Sequence, residues 1–181
     1  MIYCFSSYDD LDARQLMDLY AEGNEENADY FYPDEPDRAK AVAAVEADFL
    51  NFLKEKFFTA PGRTYWVLEE NGIYISALRL AELDGRLFYL EALETRPDFR
   101  RHGYAAKLLR GVVEALTPGG GFRICDCVRK KNAASIKTHE ACGFAIVPGP
   151  GYDYLSQTSD EGDYGMELRF DGISRGHAGK K

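Results

Sequence analysis

The sequence predicts a mixed α/β (α+β) fold, with a mostly antiparallel central sheet of about six to seven strands flanked by about four helices. The β-rich runs Thr64 to Glu70, Ile73 to Ala81 and Leu87 to Thr95 are joined by Asn71-Gly72 and Asp84-Gly85. Both dipeptides suit the positive φ angles of a tight hairpin, so the three runs read as a meander. Directly after it the pattern changes period. Ala105, Leu108, Leu109, Val112, Val113 and Leu116 fall on one helical face. With 181 residues, 45% of them hydrophobic and 29% charged, the chain can bury one full core, so residues 1–172 are expected to form a single domain.

Taken in order, residues 1–8 suit a first strand. Asp9 to Tyr20 reads as an amphipathic helix, with Leu11, Leu16, Leu19 and Tyr20 apolar and Asp9 or Asp10 as its N-cap. Glu22 to Asp37 is acidic and aromatic and reads as a long connector of the functional kind. A second helix is expected from about Pro36 to Phe58, with Val42, Val45, Phe49, Phe52 and Leu53 on its stripe and Ala60-Pro61-Gly62 as its stop. After the meander and the helix from Tyr104, Thr117-Pro118-Gly119-Gly120-Gly121 breaks the chain. Phe122 to Val128 is then a strand, Asn132 to Ala141 a short helix and Gly143 its C-terminal stop. Phe144 to Val147 and Tyr164 to Phe170 form a last strand pair, joined by a Gly/Pro/Tyr-rich and then acidic loop. Residues 173–181 read as a flexible tail.

Composition excludes several classes. A net charge of −8 argues against nucleic acid as the main partner. No apolar run approaches membrane-spanning length, and MIYCFSSYDD lacks the layout of a signal peptide, so no membrane role and a cytoplasmic location are expected. Cys4, Cys125, Cys127 and Cys142 are too scattered for a paired zinc motif and read as reduced thiols, and no metal is expected. Charge is unevenly spread. Glu22 to Asp37 holds seven acidic residues and no basic one, whereas Arg96 to Arg110 is basic. That split suits an anionic cofactor and a cationic substrate.

The stretch from Leu87 to Leu116 carries the chemistry. A strand is stopped by Pro97, the basic turn Arg100-Arg101-His102-Gly103 follows, and a helix begins at Tyr104. The first N–H groups of a helix lack intrahelical partners and its dipole favours negative charge there, so this turn suits a pyrophosphate. Neither G-x-x-x-x-G-K-[ST] nor G-x-G-x-x-G after a strand is present. Arg100, Gly103 and Ala105 instead fit R/Q-x-x-G-x-G/A. Entered through R-P-D-F, this resembles the acetyl-CoA loop of the GNAT family of N-acetyltransferases, with Arg101 where a glycine is common. A second run, Val128 to Phe144, is similar to the family's downstream signature, with Asn132, Ser135, Ile136, Glu140, Gly143 and Phe144 in register.

The resemblance covers nearly the whole chain and implies a GNAT fold, acetyl-CoA as co-substrate and direct transfer to a primary amine. It implies a bulge in the fourth strand, with the backbone around Leu93, Glu94 and Thr95 beside the pantetheine. Backbone N–H groups of Arg101, His102, Gly103, Tyr104, Ala105 and Ala106 would hold the pyrophosphate beside Arg100, and Asn132 and Ser135 would reach the far part of the cofactor. An alkylamine is neutral in only about one molecule in a few thousand at pH 7, so a base is needed. Glu91 resembles the carboxylate of members that act on small amines, and Glu94 is the reserve. His139 stands where most members carry the tyrosine acid, and its ordinary pKa lets it serve. The acidic residues of Glu22 to Asp37 and Asp160 to Asp163, with Tyr30, Tyr32, Tyr152 and Tyr154, point to a small cationic acceptor. Two other readings stay open: a non-catalytic acyl-CoA-binding domain, and a protein or peptide acetyltransferase. Homodimers are common in the family.

Overall fold

The computed structural model describes residues 1–172, so the expected tail lies outside the described residues. Helices α1 (Ala13–Phe31), α2 (Arg38–Phe52), α3 (Tyr104–Leu116) and α4 (Ala133–Glu140) accompany strands β1 (Ile2–Phe5), β2 (Arg63–Glu70), β3 (Ile73–Glu82), β4 (Leu87–Thr95), β5 (Phe122–Arg129), β6 (Ala145–Val147), β7 (Gly151–Asp153), β8 (Thr158–Asp160) and β9 (Asp163–Phe170). The main sheet has seven strands in the hydrogen-bonded order β1-β2-β3-β4-β5-β9-β6, and β7 and β8 form a separate hairpin. The β1–β2, β2–β3, β5–β9 and β6–β9 pairs are antiparallel. The β4–β5 pair is parallel, with registered pairs at Leu87, Phe88 and Tyr89. This is the predicted mixed, mostly antiparallel fold. Among the described residues no helix is long and apolar enough to cross a membrane.

Contacts fall into two compact units, one of Met1–Glu82 with Leu90–Leu108, the other of Leu83–Tyr89 with the residues from Leu109 onward. In the first, Leu16, Met17 and Leu19 of α1 pack with Leu53, Phe57, Tyr65 and Val67 in one apolar cluster. The hairpin turn of β2 and β3 has Asn71 at φ 54° and Gly72 at φ 77°, as the dipeptide requires. In the second unit, Ile124, Val128, Met166 and Leu168 are buried along β5 and β9, and Phe122 meets Phe88 edge to face and Phe170 at a tilt.

Three expectations need correction. The first helix starts at Ala13 with Asp12 as N-cap, its carboxylate accepting from the Gln15 N–H at 3.1 Å, while Asp9 and Asp10 sit in a 3₁₀ turn. The acidic stretch after Glu22 is no loop, because α1 continues to Phe31. Glu and Ala favour the helix, Gly23 alone does not break it, and Ala28 packs against Ala41 and Val45 of α2. The chain leaves the helix only ahead of Pro33, and Asp37 then caps α2 by accepting from the N–H groups of Ala39 and Lys40. Finally, the loop before β9 contains the β7–β8 hairpin, whose turn is built by Asp153 accepting from the N–H groups of Leu155 and Ser156 and by Gln157 at φ 57°.

Candidate active site

In the first unit the turn before α3 has the geometry of an anion site. Arg101 and Gly103 lie in the left-handed region, at φ 66° and 80°. The N–H groups of Arg101, His102, Gly103, Tyr104 and Ala105 donate no hydrogen bond to a described residue, while the Lys107 N–H donates to the Gly103 carbonyl at 2.9 Å. A Cβ placed on Gly103 would meet nothing within 4 Å, so the space above the turn is open. The conformation also explains why Arg101 occupies a position suited to glycine. The αL region costs a side-chain-bearing residue about 1–2 kcal/mol, which the surrounding turn must supply.

Arg100 points elsewhere. Its Nε donates to the Thr95 carbonyl at 3.0 Å, and its Nη2 pairs with Glu94 at 3.1 Å and also with Glu22. The Thr95 N–H is held by Glu94 Oε1 at 3.0 Å and its hydroxyl donates to Ser76 Oγ at 3.0 Å. Arg100 is thus a clip between α1, β4 and the turn, and the Thr95 backbone already has partners on both sides. His102 Nδ1 lies 3.3 Å from the Phe99 carbonyl, and the Tyr104 hydroxyl donates to Glu70 at 2.9 Å. Arg100→Ala is expected to cost about 1–2 kcal/mol, most of it from the lost bonds to Thr95 and Glu94 rather than the exposed Glu22 pair. A melting curve should move down by roughly 2–6 °C, and an unchanged midpoint would show the clip to be idle.

Also within the first unit, a cavity of about 370 Å³ lies among α1, α2, β3 and β4, lined by Tyr20, Asn24, Asp48, Phe49, Arg79 and Ala92 among others. Ala92 has φ 52°, a left-handed residue inside β4, and its carbonyl accepts from the Tyr20 hydroxyl at 2.7 Å. Burial raises the Tyr20 and Tyr65 pKa values far above the ordinary range, so both hydroxyls stay protonated. Glu91 is partly buried beside Leu90 and pairs with Arg79 at 3.6 Å. Sequence reading missed Arg79 and the Asn24 and Phe49 walls. The signal was a single charged residue, Arg79, inside the run Ile73 to Ala81.

Much of the acidic surplus has other work. Glu22 pairs with Arg100, Asp29 with Arg38, and Asp160 and Asp163 with Arg129. Of the Glu22 to Asp37 segment, the cavity wall takes Gly23, Asn24, Asn27 and Phe31 and no acid. Tyr30 is 79% exposed, and Tyr32 donates to Asp48 at 2.5 Å.

In the second unit, Asn132 caps α4 by accepting from the Ser135 N–H at 3.0 Å. His139 is fully buried. Its Nε2 lies 2.8 Å from Asp126 Oδ2, its Nδ1 lies 2.9 Å from the Ser135 carbonyl, and its ring meets Phe144 edge to face. Burial works against the charged imidazole, but the Asp126 carboxylate and the Ser135 carbonyl outweigh it and raise the His139 pKa. Burial raises the Asp126 pKa as well, with His139 opposing. The residue expected to donate a proton is therefore one half of a buried ion pair. Burial also pushes up the thiols of Cys125, Cys142 and Cys127, the last to about 11, so all three are protonated at neutral pH. Among the described residues no cluster of His, Cys, Asp and Glu could hold a metal.

The profile of the Acetyltransferase (GNAT) family matches residues 15–144. The chain belongs to that family. No curated protein matches it. Among solved structures, PaiA N-acetyltransferase from Thermoplasma acidophilum, in complex with coenzyme A, aligns with a TM-score of 0.62 at 14% identity, over 94% of this chain and 99% of its own. A mutant of the spermidine N-acetyltransferase SpeG from Vibrio cholerae aligns at 0.60 and 17%, over 93% and 92%. The IAA acetyltransferase of Bacillus cereus aligns at 0.56 and 14%, over 94% and 99%. At these identities the likeness is one of fold.

Proposed function

We propose that this protein is an acetyl-CoA-dependent N-acetyltransferase acting directly on a small primary amine. The observation that carries the reading is the run of N–H groups from Arg101 to Ala105, without acceptors in the described chain, at the N-terminus of α3 above open space. Backbone donors on a helix terminus bind a pyrophosphate without needing particular side chains. The coenzyme A complex of the PaiA relative supports that choice of ligand. The amine would enter the cavity lined by Tyr20, Phe49 and Arg79. There its nitrogen bonds to the acetyl carbonyl carbon while the carbon–sulfur bond breaks. The ammonium gives one proton to Glu91 before attack and the nitrogen sheds a second after it; one of the two ends on the departing thiolate and the other leaves to solvent. His139, locked to Asp126, has a positioning role for α4 in this reading rather than a proton-donating one, and no step rests on Asn132 or Ser135.

The test is thiol release from acetyl-CoA across polyamines, amino acids, aminoglycosides and peptides with free N-termini or lysines. Turnover on one class is expected. Tight coenzyme A binding with no turnover on any amine would replace the reading with a non-catalytic binding domain. Gly103→Ala checks the loop separately. Strain at φ 80° should cost about 1 kcal/mol, a few degrees of melting temperature, while the added methyl intrudes where phosphate sits and raises the Kd for coenzyme A roughly tenfold or more. Unchanged affinity in calorimetry would move the anion site away from this turn.

A further inference from the structure

Resting on the transferase reading above, we infer that the acceptor carries a carboxylate as well as its amine, and that Arg79 receives that carboxylate. Arg79 sits on β3 with its side chain 14% exposed. Its guanidinium lies over the rings of Phe49, Phe52 and Phe57, at 5.7, 5.0 and 5.7 Å from their centroids. Those rings remove water from the cation and offer no acceptor in the plane of its N–H groups. Its one ion pair, to Glu91, is 3.6 Å long, beyond hydrogen-bond range. The buried Nε has no partner.

Arg63 likewise leaves a buried Nη1 without a partner, but it lies outside the cavity wall, and the other arginines that make hydrogen bonds at part-buried sites are treated differently. Arg100 donates to Thr95 and Glu94, Arg86 to the carbonyls of Gly121 and Leu116, and Arg123 takes Glu167 through two nitrogens. A guanidinium presents five donors in a rigid fork, and leaving a buried one such as the Arg79 Nε unpaired is costly unless a ligand supplies the acceptor. A carboxylate matches that fork with two parallel bonds.

A second polar group of the same cavity is also under-used. Asn24 is 4% exposed and lines the cavity, yet the bond its Nδ2 makes is to the Met17 sulfur at 3.8 Å, a weak acceptor. The Arg79 cation and the Asn24 amide face one cavity, and the Asp48 carboxylate on the same wall is taken up by the Tyr32 hydroxyl, so the two donors favour an anionic group on their side of it. A polycation of the kind named for the spermidine relative would set a second ammonium against Arg79. The Arg79–Glu91 pair instead offers a positive and a negative group side by side, the complement of a zwitterion with its carboxylate on one and its amine on the other. Tyr20, Phe31, Val45 and Phe49 supply apolar wall, and about 370 Å³ suits a molecule of amino-acid size with an apolar side chain.

The experiment compares matched acceptors in the thiol-release assay: L-phenylalanine, L-leucine and L-methionine, each against its carboxamide, with spermidine alongside. At least one free acid should exceed its carboxamide in kcat/KM by roughly tenfold or more. In Arg79→Gln that ratio should collapse toward one, and Arg79→Lys, which keeps charge without the fork, should restore part of it. Melting curves identify any variant that fails to fold, and the wild-type comparison stands without the variants. Turnover of spermidine or the carboxamides at rates equal to or above the free acids overturns the carboxylate assignment while leaving the transferase reading intact. If no amine turns over, calorimetry with N-acetyl-L-phenylalanine still decides: binding lost in Arg79→Gln supports the assignment, and binding equal in both proteins, or absent from both, overturns it.

Discussion

Glu91→Gln is expected to lower kcat/KM by roughly 100-fold or more at neutral pH, the usual scale of a positioned general base. Glu91 stands on β4 one residue before Ala92 with its positive φ, and it pairs with an arginine that lines the cavity. An ammonium acceptor must lose a proton before its nitrogen can attack, and an amide side chain of the same shape cannot take it. As pH rises toward the amine's pKa of about 10, the acceptor arrives already neutral, so the deficit of the variant should shrink. A purely structural Glu91 would behave differently. Gln would then weaken the Arg79 pair, lower the melting temperature and depress activity by the same factor at every pH. Glu94 is poorly placed to take over, since Arg100 and the Thr95 N–H already hold it. A pH-independent deficit, or an undiminished kcat/KM, would remove Glu91 from the mechanism.

The contrast between Glu91 and Arg79 illustrates what a sequence discloses. Strand β4, the turn and α3 were legible because local chemistry fixes each: hairpin dipeptides, Pro97, Gly103 and a helical apolar stripe. Asn132 was legible as a cap for the same reason. What escaped was set by distant partners. The acidic run from Glu22 looked like a loop because its charge was visible while the packing of Ala28 on Ala41 and Val45 was not. Arg100 looked like a phosphate ligand because nothing in sequence places Glu94 and Glu22 around its guanidinium. Arg79 drew no notice, since its meaning lies in three phenylalanine rings contributed from residues 49 to 57. His139 matched a motif position, but Asp126, thirteen residues earlier on another element, determines what the imidazole does.

That pair gives the largest expected change in stability. His139→Phe should cost about 3–5 kcal/mol, because it keeps the ring against Phe144 but leaves the buried Asp126 carboxylate without its cation. For a chain of this length the melting temperature would fall by roughly 6–20 °C. Asp126→Leu combined with His139→Phe removes both charges, and a good part of the loss should return, since buried ion pairs are often replaceable by apolar contacts. Protons give the same pair a signature. The raised His139 pKa means its contribution is complete below about pH 6.5 and is lost as pH climbs through the higher folded value. The raised Asp126 pKa acts in the same direction, its loss of stability setting in as pH rises above the unfolded value of about 3.8 and being complete at the folded value. In both cases the folded state holds protons more tightly than the unfolded one. Wild type should therefore lose stability relative to the double variant as pH rises above about 6.5. Melting curves of the four proteins across that range decide the matter: a constant difference, or a His139→Phe variant within about 0.5 kcal/mol of wild type, would mean that the 2.8 Å approach of His139 to Asp126 is not an ion pair in solution.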